Sequence, residues 1–138
     1  EINNSQPSHV VETVEEMVEG IKNPKIAVLG VAYKGNVDDT RETPALPVLR
    51  ELEDRGYEVS VVDPHVGDFS YELVDYRGAL RGSDCAVLLT DHEEFGEIQP
   101  DEAGELMRSR KILDTRNLLD HESWESAGFE VRRLGVGG

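Results

Sequence analysis

Short apolar runs alternate along this chain with stretches whose apolar residues recur at helical intervals. Val10, Val14, Met17, Val18 and Ile21 recur every three or four positions, which predicts an amphipathic helix over 9–21, capped by Ser8 and ended by Gly20 to Pro24. Lys25-Ile26-Ala27-Val28-Leu29 is a continuous apolar run closed by Gly30, the pattern of a parallel strand covered on both faces. Thr43 as N-cap and Pro44 at the first helical position open a second helix, with Ala45, Leu46, Leu49 and Leu52 on its inner face and Gly56 at its end. Strands follow over 57–62, 85–89, 111–113 and 129–134, with helices over 76–82, 100–109 and 121–127; the segment 69–76 fits neither pattern. Strand, helix, strand alternation at these lengths implies right-handed crossovers and parallel pairing. The fold class is therefore α/β, a doubly wound parallel sheet of five or six strands with helices on both faces. Residues 1–7 read as a tether and Gly135 to Gly138 as a flexible end.

The chemistry concentrates in the loop after the first strand. Gly30 and Gly35 occupy the outer positions of a G-x-G-x-x-G pattern, but Ala32 stands where the middle glycine belongs. From Lys34 to Glu42 only Val37 is apolar, so the next helix begins late and the loop is roughly a dozen residues long. Open α/β sheets bind ligands at such a place. Lys34 supplies an ammonium and Arg41 a planar fork suited to phosphate or carboxylate, while Asp38 and Asp39 can hold those cations or accept from sugar hydroxyls. The alternative is a solvated ion-pair cluster. Asp63 ends a strand where a dinucleotide fold places its ribose-binding acid, but it lies 33 residues after Gly30, against a usual spacing of about 20, so a structural Asp-Pro turn is the favoured reading. His92 follows a strand and reads as a surface histidine. Cys85, inside an apolar strand, reads as a buried small hydrophobe. The histidines share no metal-ligand spacing, so no metal site is assigned.

Gly30-Val31-Ala32-Tyr33-Lys34 followed by Asp38-Asp39-Thr40-Arg41-Glu42-Thr43-Pro44 resembles the G-x-[AS]-[FY]-K-x-x-x-D-D-x-R-E-[ST]-P signature of the nucleotide-sugar 6-dehydrogenase family, the UDP-glucose, GDP-mannose and UDP-N-acetylmannosamine dehydrogenases. Val61-Val62-Asp63-Pro64, Ala86 to His92 and Asp114-Thr115-Arg116-Asn117 extend the resemblance in the family's order over nearly the whole chain. The resemblance implies a Rossmann-like, UDP-sugar-binding C-terminal domain over 25–138, preceded at 1–24 by a linker and leading helix that follow a missing central helix. Enzymes of this family oxidise the C6 hydroxyl of a nucleotide-linked hexose to a carboxylate and reduce NAD through a catalytic cysteine. Cys85 matches none of that cysteine's context, so no catalytic residue is assigned and inactivity alone is expected. By the same resemblance Tyr33, Lys34 and Arg116 contact the UDP-sugar, and Arg41 reaches toward NAD bound mainly by an N-terminal domain of the same polypeptide. Gly30, Asp38 and Asp39 support the loop. For Arg116, pairing with Asp114 or Asp120 is the alternative role. The Asp114-Thr115-Arg116 form hints at an N-acetylhexosamine substrate, and the family is commonly a homodimer. A stand-alone nucleotide- or dinucleotide-binding regulatory module is the competing function.

Composition narrows the partners. The chain has 138 residues, enough for one domain, and 29 acidic against 14 basic residues, a net charge of −15. That balance argues against a nucleic-acid partner. The acidic surplus is spread along the chain and reads as a salt-adapted, halophilic surface, with an ordinary acidic surface as the alternative; stability that rises from low to molar salt separates the two. A lone cysteine fits a reducing compartment, and neither a signal peptide nor a membrane-length apolar run is evident, so a cytoplasmic protein is expected.

Overall fold

The computed structural model describes residues 7–32, 35–36, 38, 40 and 43–134. Six helices and five strands alternate as α1 (Pro7–Met17), β1 (Lys25–Leu29), α2 (Ala45–Asp54), β2 (Glu58–Val62), α3 (Tyr76–Leu80), β3 (Cys85–Leu88), α4 (Glu93–Gly96), α5 (Pro100–Leu106), β4 (Lys111–Asp114), α6 (His121–Ser126) and β5 (Glu130–Arg133). All strand pairs are parallel, in the order β2-β1-β3-β4-β5. The chain leaves β1 toward one edge and returns to β3 on the other side, so the topological switch falls between β1 and β3.

Register then fixes where loops meet. Leu29 pairs with both Val62 and Leu88, Leu88 with Asp114 and Asp114 with Arg133, so the last residues of all five strands stand in one row. The residues that follow them emerge along a single edge of the sheet.

Side chains alternate between two cores, as the period of a strand demands. Ile26, Val28, Val61, Val87 and Leu113 pack under α1 and α2 with Val10, Val11, Val14, Leu49 and Leu52. Ala27, Leu29, Val62, Ala86, Leu88 and Ile112 pack under the other helices with Leu80, Phe95, Ala103 and Trp124. Ala27 and Ala86 are register partners, and their small side chains leave room for those helices to approach the sheet closely. Truncating a fully buried residue such as Leu49 or Leu113 to alanine is expected to cost about 2–5 kcal/mol.

Several boundaries differ from the sequence expectation, each for a local reason. The first helix starts at Pro7 and ends at Met17; beyond it Glu19 N–H turns to the Glu16 carbonyl and Gly20 takes φ +86°. Thr43 caps α2 as expected, its hydroxyl accepting from Ala45 N–H at 3.2 Å. On the inner face of α2, however, Val48 replaces Leu46, which is only half-buried. The helix ends in a Schellman arrangement: Gly56 N–H donates to Glu53 O and Tyr57 N–H to Leu52 O, with Gly56 at φ +86°. α5 stops at Leu106 because the amides of Arg108 and Ser109 are drawn to the Ser83 carbonyl. The single turn of α4 was not anticipated from the sequence.

Candidate functional site

Three strand tips converge at the switch point: the loop after β1, Thr90-Asp91-His92 after β3, and Thr115-Arg116 after β4. Gly30 makes the first approach possible. Its φ is +101°, and a Cβ there would lie 2.5 Å from Thr90 Oγ1. Gly30 N–H donates to Val62 O at 2.7 Å, and Thr90 Oγ1 donates to the Ala32 carbonyl at 3.0 Å, so the loop is stitched to both neighbouring strands. Gly35 packs as tightly against Asp91, where a Cβ would sit 2.5 Å from Oδ1.

Behind this loop lies a buried polar network. Asp63 Oδ2 accepts from Val31 N–H (2.8 Å), Ala32 N–H (3.1 Å) and His92 Nε2–H (2.9 Å), and Oδ1 accepts from His65 N–H (2.8 Å). His92 Nδ1 accepts from Asn36 N–H at 2.7 Å. Asn36, at φ +60°, returns its side-chain oxygen to Glu93 N–H at 3.1 Å. Every side-chain polar atom of Asp63 and His92 is thereby used, as burial requires. Asp63 is thus the structural acid favoured by the sequence. His92 is a correction: it is 0% exposed, stacked on His65 with ring centroids 4.3 Å apart and beside Phe95, not a surface histidine. The partner that buries it is 29 residues away in sequence. The available signal was positional, since Asp63 and His92 each follow a strand that flanks β1.

At the β4 tip Asp114 is fully buried and accepts from Arg116 N–H, Leu119 N–H and His121 Nε2–H, each at 2.9 Å. This turn leaves the Arg116 side chain half-exposed, with Nη2 3.9 Å from Asp91 Oδ1. Its guanidinium therefore meets neither Asp114 nor Asp120, the partners considered from sequence; Asp120 instead receives the Ser123 hydroxyl. Among the described residues Asp91 Oδ1 is buried with no hydrogen-bond partner. Of the other expected site residues, Gly30 is buried at the β1 tip and Asp38 is exposed, whereas Tyr33, Lys34, Asp39 and Arg41 lie outside the described residues. Cys85 is wholly buried in β3, and burial pushes its thiol up to about 12, so the small-hydrophobe reading holds.

A hollow of about 450 Å³ lies between the β2 tip, α3 and α4. It is lined by Val62, Val74, Tyr76, Phe95 and Ile98 together with the acids Asp63, Asp75, Glu94 and Glu97. Four carboxylates make it a poor host for a diphosphate, so the Arg116 side of the sheet is the better anion site. Among the described residues no helix is long and apolar enough to cross a membrane.

A parallel sheet of this order, with its loops gathered at the switch point, has the architecture of a nucleotide-binding domain. Residues 27–121 match the UDP-glucose/GDP-mannose dehydrogenase family, UDP binding domain. The UDP-N-acetyl-D-mannosamine dehydrogenase of Methanococcus maripaludis is 41% identical over 142 residues, covering 99% of this chain and 33% of that protein. The solved UDP-D-ManNAc dehydrogenase of Pyrococcus horikoshii is 34% identical at a TM-score of 0.80, over 94% of this chain and 30% of the other. The NDP-N-acetyl-D-galactosaminuronic acid dehydrogenase of Methanosarcina mazei is 26% identical at a TM-score of 0.87, over 94% and 29%. The chain belongs to the UDP-glucose/GDP-mannose dehydrogenase family and comprises its UDP binding domain; it spans about a third of the length of the curated relatives it matches.

Proposed function

We propose that this domain binds the nucleoside diphosphate of a UDP-sugar and presents the sugar to an NAD-dependent dehydrogenase centre carried by an N-terminal domain of the same polypeptide. The sugar C6 hydroxyl is oxidised there to a carboxylate. The observation that carries this reading is the convergence of the β1, β3 and β4 tips, which puts the Arg116 guanidinium within 4 Å of Asp91, itself packed against Gly35. Lys34 is one residue from Gly35 in the chain. Tyr33, Lys34 and Arg116 are the substrate contacts, with the two cations sharing the diphosphate charge. Arg41 serves the NAD side of the cleft, and Gly30, Asp38 and Asp39 support the loop. An N-acetylhexosamine, as in UDP-N-acetylmannosamine, is the sugar favoured by the names of the similar proteins. The full-length protein acts as a cytoplasmic homodimer.

Isothermal titration of UDP and UDP-N-acetylmannosamine into wild type and Lys34→Ala tests the reading. One charge-assisted contact is worth about 1.5–3 kcal/mol, so a roughly ten- to hundred-fold weaker Kd is expected for the variant. Equal affinity removes Lys34 from the site.

A further inference from the structure

We propose that Asp63 and His92 form a positioning pair that fixes the short loop segment between Ala32 and Asn36 at its two ends, and through it sets how tightly the domain holds a nucleoside diphosphate. The inference rests on the nucleotide-binding reading above. Both ends of that short segment are tied to the same two side chains, Val31 and Ala32 to Asp63 Oδ2 and Asn36 to His92 Nδ1. A backbone N–H can only donate, so Nδ1 of His92 is unprotonated and its one ring proton lies on Nε2, directed at Asp63. The imidazole therefore acts as a strut of fixed length and one tautomer between carboxylate and loop. Asn36 adds a second tie through its side chain to Glu93 N–H, linking the loop to the start of α4.

An apolar pair would fill this space and hold β2 to β3 as well, because Phe95, Val62 and Leu88 already pack nearby in the second core. What hydrogen bonds add is direction: a buried, fully satisfied network admits one arrangement of the backbone it binds. Among the described residues the loop after β1 gives this pair three backbone N–H bonds, against one from His65. The pair touches no ligand itself and acts through that segment.

A double-mutant cycle on UDP affinity separates this role from a general structural one. His92→Phe keeps a ring to stack on His65 and removes both hydrogen bonds. It is expected to weaken UDP binding about tenfold in the wild-type background and less than twofold in Lys34→Ala, where the cation proposed for that loop is gone. His92→Asn, whose side-chain oxygen is placed to accept from Asn36 N–H, is expected to recover most of the loss. Wild-type affinity in His92→Phe, or an equal loss in both backgrounds, overturns the proposal. Should His92→Phe not fold, His92→Gln, which keeps a donor for Asp63 and displaces the acceptor from Asn36, enters the same cycle with the same two expectations. Absence of UDP binding to the wild type sinks the nucleotide reading itself, a result distinct from additive losses in a protein that does bind UDP.

Discussion

The two ends of the parallel sheet carry buried carboxylates used in opposite ways. At the N-terminal end Asp84, fully buried ahead of β3, accepts from Arg108 Nε (2.8 Å) and Nη2 (2.6 Å), from Lys25 N–H (3.1 Å) and from the Ser109 hydroxyl (3.0 Å). These bonds join the start of β1, the start of β3 and the segment before β4. At the C-terminal end Asp63 and Asp114 also satisfy their oxygens with backbone N–H groups, but the backbone they hold belongs to the loops that carry Arg116 and the β1 signature. The first end joins segments of the framework and the second fixes the loops after β1 and β4. Polar burial costs free energy at either end unless it is satisfied; at the C-terminal end the backbone so held carries the half-exposed Arg116.

The sharpest way to break this contrast is at Asp84. Asp84→Ala leaves the Lys25 N–H, the Ser109 hydroxyl and Arg108 without their common acceptor, and is expected to lower stability by about 3 kcal/mol in chemical denaturation while leaving the UDP affinity of the folded protein unchanged. Burial raises this carboxyl, but hydrogen bonds from Arg108, Lys25 and Ser109 outweigh it and hold the group below its ordinary 3.8. Because the folded value is the lower one, folding favours the carboxylate. Its contribution is complete above about pH 3.8 and is lost as pH falls below that toward the folded value. A urea midpoint that does not decline over that acid range more steeply in wild type than in Asp84→Ala contradicts this assignment.

Gly30→Ala is the next largest change. Left-handed backbone and a clash with Thr90 together are expected to cost about 2 kcal/mol of stability and, unlike Asp84→Ala, to weaken UDP binding as well. Stability loss with intact UDP affinity would show that the β1 loop is not part of the site. Arg116→Ala inverts the pattern: its ion pair with Asp91 is long and half-exposed, so stability should change by less than about 0.5 kcal/mol while UDP binds roughly tenfold more weakly. The smallest effect is expected at Cys85. Its buried thiol should resist alkylation at pH 8 in the native protein and react once the chain is unfolded; rapid native labelling would contradict the packing of β3.

Legibility from sequence followed how local each determinant is. β1 and β3 were evident because continuous apolar runs closed by Gly30 and by Thr90-Asp91 admit few other readings, and the Thr43 cap and Gly56 terminus of α2 act within one turn. The alternation of elements sufficed for the doubly wound sheet, but its five-stranded order and the shared row of strand ends follow from register, which no single segment encodes. α4 escaped because one helical turn has no period to detect. His92 was misread for a related reason. Its burial is decided by Asp63 across the switch point, 29 residues away in sequence. Arg116 was identified through the family signature, and its neighbour Asp91 entered only with the coordinates.

The most direct measurement is amide NMR mapping of UDP on the isolated, isotopically labelled chain. The account predicts shift changes concentrated at residues 30–36, 90–92 and 114–117, with Lys25, Asp84 and Arg108 unmoved. Changes confined to the acidic hollow formed by Val74, Tyr76, Phe95 and Ile98, or changes at the Asp84 end of the sheet alone, would contradict it.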